Sequence, residues 1–432
     1  MNGCDIAWML VATALVLVMT PALGFFYAGL VRSKNTLNTL MMSVASLGFV
    51  GLAWAIGGYS IAFAPGTSIL GGTAFAFLRG VGLEAHGTIP HLLFMAFQAT
   101  FAIITAALVS GAIVERMRFG AYLVFITVWS LVVYAPIAHW VWGGGWLAGL
   151  GALDFAGGTV VHISAGAAAL VAAIVLGPRK DYARQALVPH SVPFTLLGTG
   201  ILWFGWFGFN AGSALAANEQ AALAFVNTML APAATLAVWT LLDLMRTGKA
   251  TAVGIATAIV VGLVAITPAA GLIGPLSAIV LGVIAAVPSY YGVLWRARTR
   301  LDDALDVVAT HGTGGIVGAL LTGVLASRAW GSPSDGLLFG HPAQLGVQAL
   351  AVAATLVYSA GMTAGILILI KAILPLRAAA GEEGLGLDVS QHGEEAYARE
   401  EGAILILSET KYGKAPVATS LSPALTMEGD RG

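Results

Sequence analysis

Apolar residues run along this chain in long stretches separated by short polar or glycine-containing connections. Eleven stretches approach or exceed the roughly 20 residues that a spanning helix needs. They cover about residues 7–31, 37–63, 91–114, 119–140, 157–176, 193–213, 219–243, 251–268, 274–295, 307–325 and 345–371. The pattern predicts an all-α polytopic membrane protein, with a membrane domain over 1–374 and an acidic tail over 375–432 that holds no span. No Lys or Arg precedes the first stretch, whereas Arg32 and Lys34 follow it. A secretory signal has its positive region in front and a shorter apolar segment, so this stretch reads as a retained first helix.

Charge placement orients the helices, because Lys and Arg in short connections favour the cytoplasmic side. With the N-terminus outside, the inner connections carry Arg32, Lys34, Arg116, Arg118, Arg179, Lys180, Arg184, Arg246, Lys249, Arg296, Arg298, Arg300, Lys371 and Arg377, fourteen of the twenty basic residues. The outer connections keep only Arg79 and Arg328. One helix more or fewer would scramble this segregation, so the expected topology has eleven helices, an outside N-terminus and a cytoplasmic C-terminus. Composition agrees: 58% hydrophobic and 9% charged residues are far from a soluble domain. A net charge of −1 provides no field to recruit nucleic acid. Cys4 is the sole cysteine, which excludes an internal disulfide and any multi-cysteine metal site. The 55 glycines suit close helix packing in lipid.

The order of elements hints at a duplication. Helices one to five and six to ten form two inverted halves, followed by a final helix, and each half ends in a helix with one histidine amid small residues. These are His162 within Val160–Ser164 and His311 within Ala309–Thr313. The other histidines, His86, His91, His139, His190, His341 and His392, fall in loops or near span ends. An ionisable residue inside a span faces a cavity or a partner, and inverted repeats place a transported species near the midplane. A lone intramembrane histidine is as readily a hydrogen-bonded structural residue. Two at matching positions favour a pore. Neutral imidazole offers one donor and one acceptor to a small guest, while a bare cation between apolar walls would meet several kcal/mol of desolvation.

A second constellation is Trp206, Phe209, Asn210 and Ser213, spaced to share one helix face toward the outer end of the sixth span. Aromatic faces attract cations and a hydroxyl accepts from N–H groups; an aromatic interface belt explains the same spacing. Phe97 and Phe101 repeat the pattern in the third span, where packing is the plainer explanation, and Trp142 in an outer loop is equally an interface anchor. Asp154, just before the fifth helix, has two readings: a helix cap or a substrate ligand. Asp243, Asp306 and Glu219 suit solvated or paired structural roles.

At these residues the sequence resembles the bacterial Amt branch of the Amt/MEP/Rh ammonium transporter superfamily. The similarity spans residue 7 to about 400, and its most specific strings are Asp154–His162 and Gly205–Ser213, supported by Phe97-Gln98-Ala99-Thr100-Phe101 and Ala138–Gly145. The resemblance implies a transporter rather than an enzyme, without a cofactor, in the bacterial plasma membrane in contact with lipid. It implies ammonium or ammonia as substrate, with methylammonium as a companion. By motif it assigns Phe101, Trp142 and Ser213 to outer recruitment, Phe101 and Phe209 to a stacked gate, His162 and His311 to a twin-histidine pore, and Asp154 to structural support. It also implies a homotrimer and a PII-type signalling partner at the cytoplasmic face. Ala99, Ser164, Thr310 and Thr313 depart from the family's common residues beside the pore set.

The tail around Gly386–Tyr397 resembles the family's regulatory segment, although its acidity alone suits a flexible, solvated terminus; Ala415–Gly432 is expected to be disordered. Two other function classes remain open at this level: an ammonium sensor signalling through the tail, and a redox protein whose paired histidines hold haem.

Overall fold

The computed structural model describes residues 1–397. Among them are eleven apolar helices: α1 (Gly3–Leu30), α2 (Ser33–Phe63), α3 (His91–Ile113), α4 (Phe119–Gly149), α5 (Gly158–Leu176), α6 (Val192–Gly212), α7 (Glu219–Thr247), α8 (Ala252–Ile266), α9 (Pro275–Arg296), α10 (Val308–Leu325) and α11 (Ala343–Ile373). Ten are long and apolar enough to cross a membrane, and α8, with 15 residues, is shorter than the full span expected over 251–268. Its limits have local causes. The Thr251 hydroxyl accepts from the Gly254 N–H at 3.0 Å and so fixes the start, and the helix ends just before Pro268. Residues 258–270 are all buried, so the far end meets protein rather than lipid and its loose backbone groups find partners there.

The bundle is organised by close approach. The most extensive packing is α1 against α6, while α7 packs on α8 and α9, and α5 lies against α3, α10 and α11. At Gly198 of α6 a Cβ would fall onto the backbone nitrogen of Phe26 in α1, so only glycine allows that contact. A two-stranded hairpin, β1 (Ala85–His86) and β2 (Ile89–Pro90), leads into α3 at the end opposite the basic connections.

At the basic end, charges that composition makes scarce are spent on one buried network. Arg179 pairs with Asp302 (Nη2–Oδ1 2.7 Å) and with Glu115, and Arg32 joins Glu115 at 2.8 Å and Asp181 at 2.9 Å. Arg116, fully buried, donates to the carbonyls of Ala112 (2.8 Å) and Asp302 (2.5 Å). Burial pushes the Glu115 and Asp302 carboxyls up, but the guanidiniums beside them outweigh it and hold both below their ordinary range. Asp306 pairs with Arg296 at 2.6 Å and Asp243 accepts from the Tyr290 hydroxyl at 3.1 Å, so both have the partners expected of structural carboxylates.

Residues 375–397 do not extend into solvent as the tail's acidity suggested. A short helix, α12 (Ala380–Leu385), and a following π-helical turn at Asp388–His392 lie across the basic end. Asp388 and Glu383 are buried: Asp388 accepts from the N–H groups of Leu37 (3.1 Å) and Asn38 (2.8 Å) at the start of α2, and Glu383 pairs with Arg377 at 2.6 Å. Leu387 N–H donates to Asn35 Oδ1 at 2.8 Å, and Asn35 donates in turn to Glu115 at 2.7 Å, which joins this strap to the ion network. The acidic residues find cationic and N–H partners, which explains the docking. Ala415–Gly432 lies outside the described residues.

Removing one partner of a buried pair leaves an uncompensated charge, a loss of about 3–5 kcal/mol. Asp302→Ala is therefore expected to lower the unfolding temperature of the purified protein markedly, read by thermal unfolding in detergent. Because the folded carboxyls titrate below their unfolded values, their contribution is present above the ordinary carboxylate range and disappears as pH falls through the depressed values. The gap between wild type and Asp302→Ala should narrow over that acidic window.

Candidate functional site

Two helices begin in the same way and carry the two intramembrane histidines. Before α5, Gly157 adopts φ 117°, a left-handed turn that glycine supplies without strain. Asp154 then meets the exposed start of the helix: Oδ1 accepts from Gly157 (2.8 Å) and Gly158 (2.6 Å), and Oδ2 from Thr159 (2.8 Å) and Val160 (3.0 Å). Burial pushes this carboxyl above its ordinary value, and the four N–H groups oppose the rise. The first turn, Gly158–Ile163, is π-helical and contains His162. Before α10, Asp303 accepts from the Val308 N–H at 2.7 Å, and the π-helical turn Val308–Thr313 contains His311. Each aspartate lies eight residues before its histidine. Burial and then the neighbouring Asp306 push the Asp303 carboxyl up to about 7. A π-turn inserts an extra residue and re-aims the side chains that follow.

The two rings meet at the centre of the bundle. His311 Nδ1 and His162 Nδ1 are 3.2 Å apart with ring planes inclined by 30°, and both residues are buried. One nitrogen of that pair must donate and the other accept, so the bond requires at least one neutral ring. His162 Nε2 has no hydrogen-bond partner among the described residues. Two axial nitrogens on a haem iron would stand about twice a ~2 Å metal–nitrogen bond apart, more than this contact provides. The approach of the two helices depends on Gly166: a Cβ there would fall onto the backbone of Gly312, the residue after His311. Around the rings lies a narrow cavity walled by Met19, Leu23, Phe26, Ile104, Leu108, Val161, Leu202, Trp206, Phe209 and Val260, with room on the scale of one water-sized guest.

On one side of the histidines the cavity is closed by Phe101 and Phe209, whose ring centroids are 4.2 Å apart. Beyond that pair is a vestibule of ≈ 290 Å³ that brings together Phe101, Trp142 and Ser213 with Phe63, Phe94, Phe97, Gln98 and Phe155. Trp142 stands edge-on to Phe101 at 6.0 Å, and its Nε1 donates to the Asp154 carbonyl at 2.8 Å. Ser213 donates its hydroxyl proton to the Phe209 carbonyl at 2.8 Å, which leaves its lone pairs available. Phe101, Trp142 and Ser213 thus border one vestibule, Phe209 packs on Phe101 between it and the histidines, and Asp154 caps the helix that bears His162.

The shared-face reading of Trp206, Phe209, Asn210 and Ser213 needs correction. Asn210 donates to Thr228 Oγ1 at 2.9 Å, away from the vestibule. Trp206 is bound to Thr267 Oγ1 at 3.0 Å and stacks on His162 at 5.5 Å, beneath the ring pair rather than at the outer end. Spacing places residues on a face, but that face is wide enough to serve a helix neighbour, the tube and the vestibule at once. The apolar tube-lining residues carried no sequence signal, since a leucine facing a pore and a leucine facing a core are spelled alike. The departures are structurally mild: Ser164 donates to the Val160 carbonyl at 2.5 Å and Thr310 to the Asp306 carbonyl at 2.8 Å.

Comparison with known proteins gives a consistent result. The profile of the Ammonium Transporter Family matches residues 7–397. An ammonium transporter of Bacillus subtilis is 48% identical, over 91% of this chain and 98% of its own length. One of Aquifex aeolicus is 52% identical, over 90% of this chain and 92% of its own. The crystal structure of Saccharomyces cerevisiae Mep2 is similar with a TM-score of 0.84 at 37% identity, covering 94% of this chain and 93% of that one.

Gly166→Ala changes no polar atom yet must separate the two histidine helices. Misplacement of facing groups by about 1 Å costs up to ~100-fold in function. Vesicle uptake normalised to folded protein should fall at least ~10-fold in this variant.

Proposed function

The chain belongs to the Ammonium Transporter Family as a multi-pass ammonium transporter of the plasma membrane, and from that premise we propose how its residues move the substrate. All eleven helices span the bilayer as two inverted five-helix halves plus a final helix. The N-terminus is outside, and the basic end with its docked strap faces the cytoplasm. Matching aspartate-capped π-turns in α5 and α10 and the asymmetric distribution of Lys and Arg support this arrangement.

Ammonium enters the vestibule, where the faces of Phe101 and Trp142 attract its charge and Ser213 accepts one of its N–H groups. The Phe101–Phe209 pair must part for passage. Beyond it the walls are apolar, so the ion meets several kcal/mol of desolvation. Loss of a proton near the gate converts ammonium to ammonia plus a proton and removes most of that cost. Ammonia then travels along His162 and His311, which exchange hydrogen bonds with it by switching tautomers, while the proton either follows separately or returns outside. Asp154 acts at one remove by holding the His162 turn in place. Assembly as a homotrimer and docking of a PII-type protein on the cytoplasmic strap complete the proposal.

The observation that carries this reading is the contact between two neutral-competent imidazoles inside an apolar tube closed by a close pair of aromatic rings. The double variant His162→Ala, His311→Ala in reconstituted vesicles tests it. Net ammonium transport should be abolished; wild-type flux and selectivity in that variant would contradict the mechanism.

A further inference from the structure

We propose that Gln98 is a further substrate ligand of the vestibule and that it sets the preference for ammonium over alkylated amines. The inference rests on the recruitment reading above and extends it to a residue that the aromatic and hydroxyl set leaves out. Gln98 lies three residues before Phe101 on the same helix face, borders the vestibule and is 8% exposed. Its buried Oε1 has no hydrogen-bond partner among the described residues.

The polar accounting of the vestibule singles this amide out. Three of the lining side chains carry polar atoms: Gln98, Trp142 and Ser213. Trp142 has only a donor, and it is already engaged by the Asp154 carbonyl. Ser213 has given its proton to Phe209 and offers lone pairs. Gln98 alone brings a second side-chain acceptor, and that acceptor is uncompensated by the fold. A buried carbonyl oxygen without a donor is a costly feature, and a guest rich in N–H groups relieves it. Rotation about the terminal torsion, which is soft at an sp³–sp² bond, turns the oxygen toward the vestibule.

Ammonium has four N–H groups. Two aromatic faces take its charge, while Ser213 and Gln98 accept two separate N–H bonds. Methylammonium keeps three N–H groups, so it satisfies both acceptors only in the orientations that turn its methyl away from Ser213 and Gln98. An amide in place of a carboxylate also has a mechanistic consequence. It orients the ion without a full counter-charge, so that binding stays weak enough for release inward.

Uptake by the purified full chain in vesicles, measured for ammonium and methylammonium in Gln98→Leu, Gln98→Glu and Ser213→Ala, tests this. Gln98→Leu should raise the half-saturating ammonium concentration about tenfold, the loss expected for one hydrogen bond to a charged group, and bring the two substrates closer together. Gln98→Glu should keep or lower the half-saturating concentration while reducing the maximal rate. A packing role predicts the reverse, since a buried charge harms packing at least as much as leucine does. If Gln98→Leu leaves both affinity and preference unchanged while Ser213→Ala weakens uptake, the Gln98 assignment is wrong and recruitment stands. If neither variant alters affinity, the recruitment reading fails and this inference with it.

Discussion

Taking a charge out of water into an apolar interior costs several kcal/mol unless the charge is paired, hydrogen-bonded or removed. Each part of this protein meets that constraint differently. At the basic end the charges are paired: Glu115, Arg179, Arg32 and Asp302 form one network, and the strap through Asn35 and Asp388 is tied into it. At the start of α5 the Asp154 carboxyl is surrounded by four N–H groups. At the centre two imidazoles share one hydrogen bond, which requires at least one of them to be neutral. In the proposed cycle the substrate obeys the same rule by giving up its proton before it enters the tube.

The two histidine helices also show how packing carries chemistry. His162 and His311 meet because two capped π-turns approach each other across Gly166 and Gly312. None of the atoms that set this distance belongs to an imidazole. A continuous run of contacts also joins the strap to the same region: Leu387 binds Asn35, which leads to Glu115, then Arg179 and Asp302, and Asp302 directly precedes the cap Asp303.

Much of this was legible in the sequence because hydrocarbon restricts the vocabulary. Long apolar runs can only be helices there, and two histidines inside such runs stand out against a background in which few residues ionise. Phe101, Trp142 and Ser213 were legible through family motifs, and the structure brings them to one vestibule. Other features depended on three-dimensional partners. The ambiguity of Asp154 between cap and ligand turned on whether four N–H groups faced it. Asn210 and Trp206 were grouped with Ser213 by helical spacing, yet their hydrogen bonds run to Thr228 and Thr267 on other helices. The strap's acidity suggests a solvated segment, and only the fold supplies the Arg377 and Asn38 N–H partners that accompany burial of Glu383 and Asp388.

In the proposed cycle the substrate crosses the tube as a neutral molecule because it has a proton to lose. Potassium is close to ammonium in size and charge but has no proton to give up, so it meets the full desolvation cost. Parallel flux measurements of ammonium and potassium through the purified protein in vesicles, each under the same gradient and membrane potential, separate the two cases. The account predicts ammonium-dependent flux with potassium flux at the level of empty vesicles. Potassium passage comparable to that of ammonium would mean that a cation crosses intact, and would contradict it.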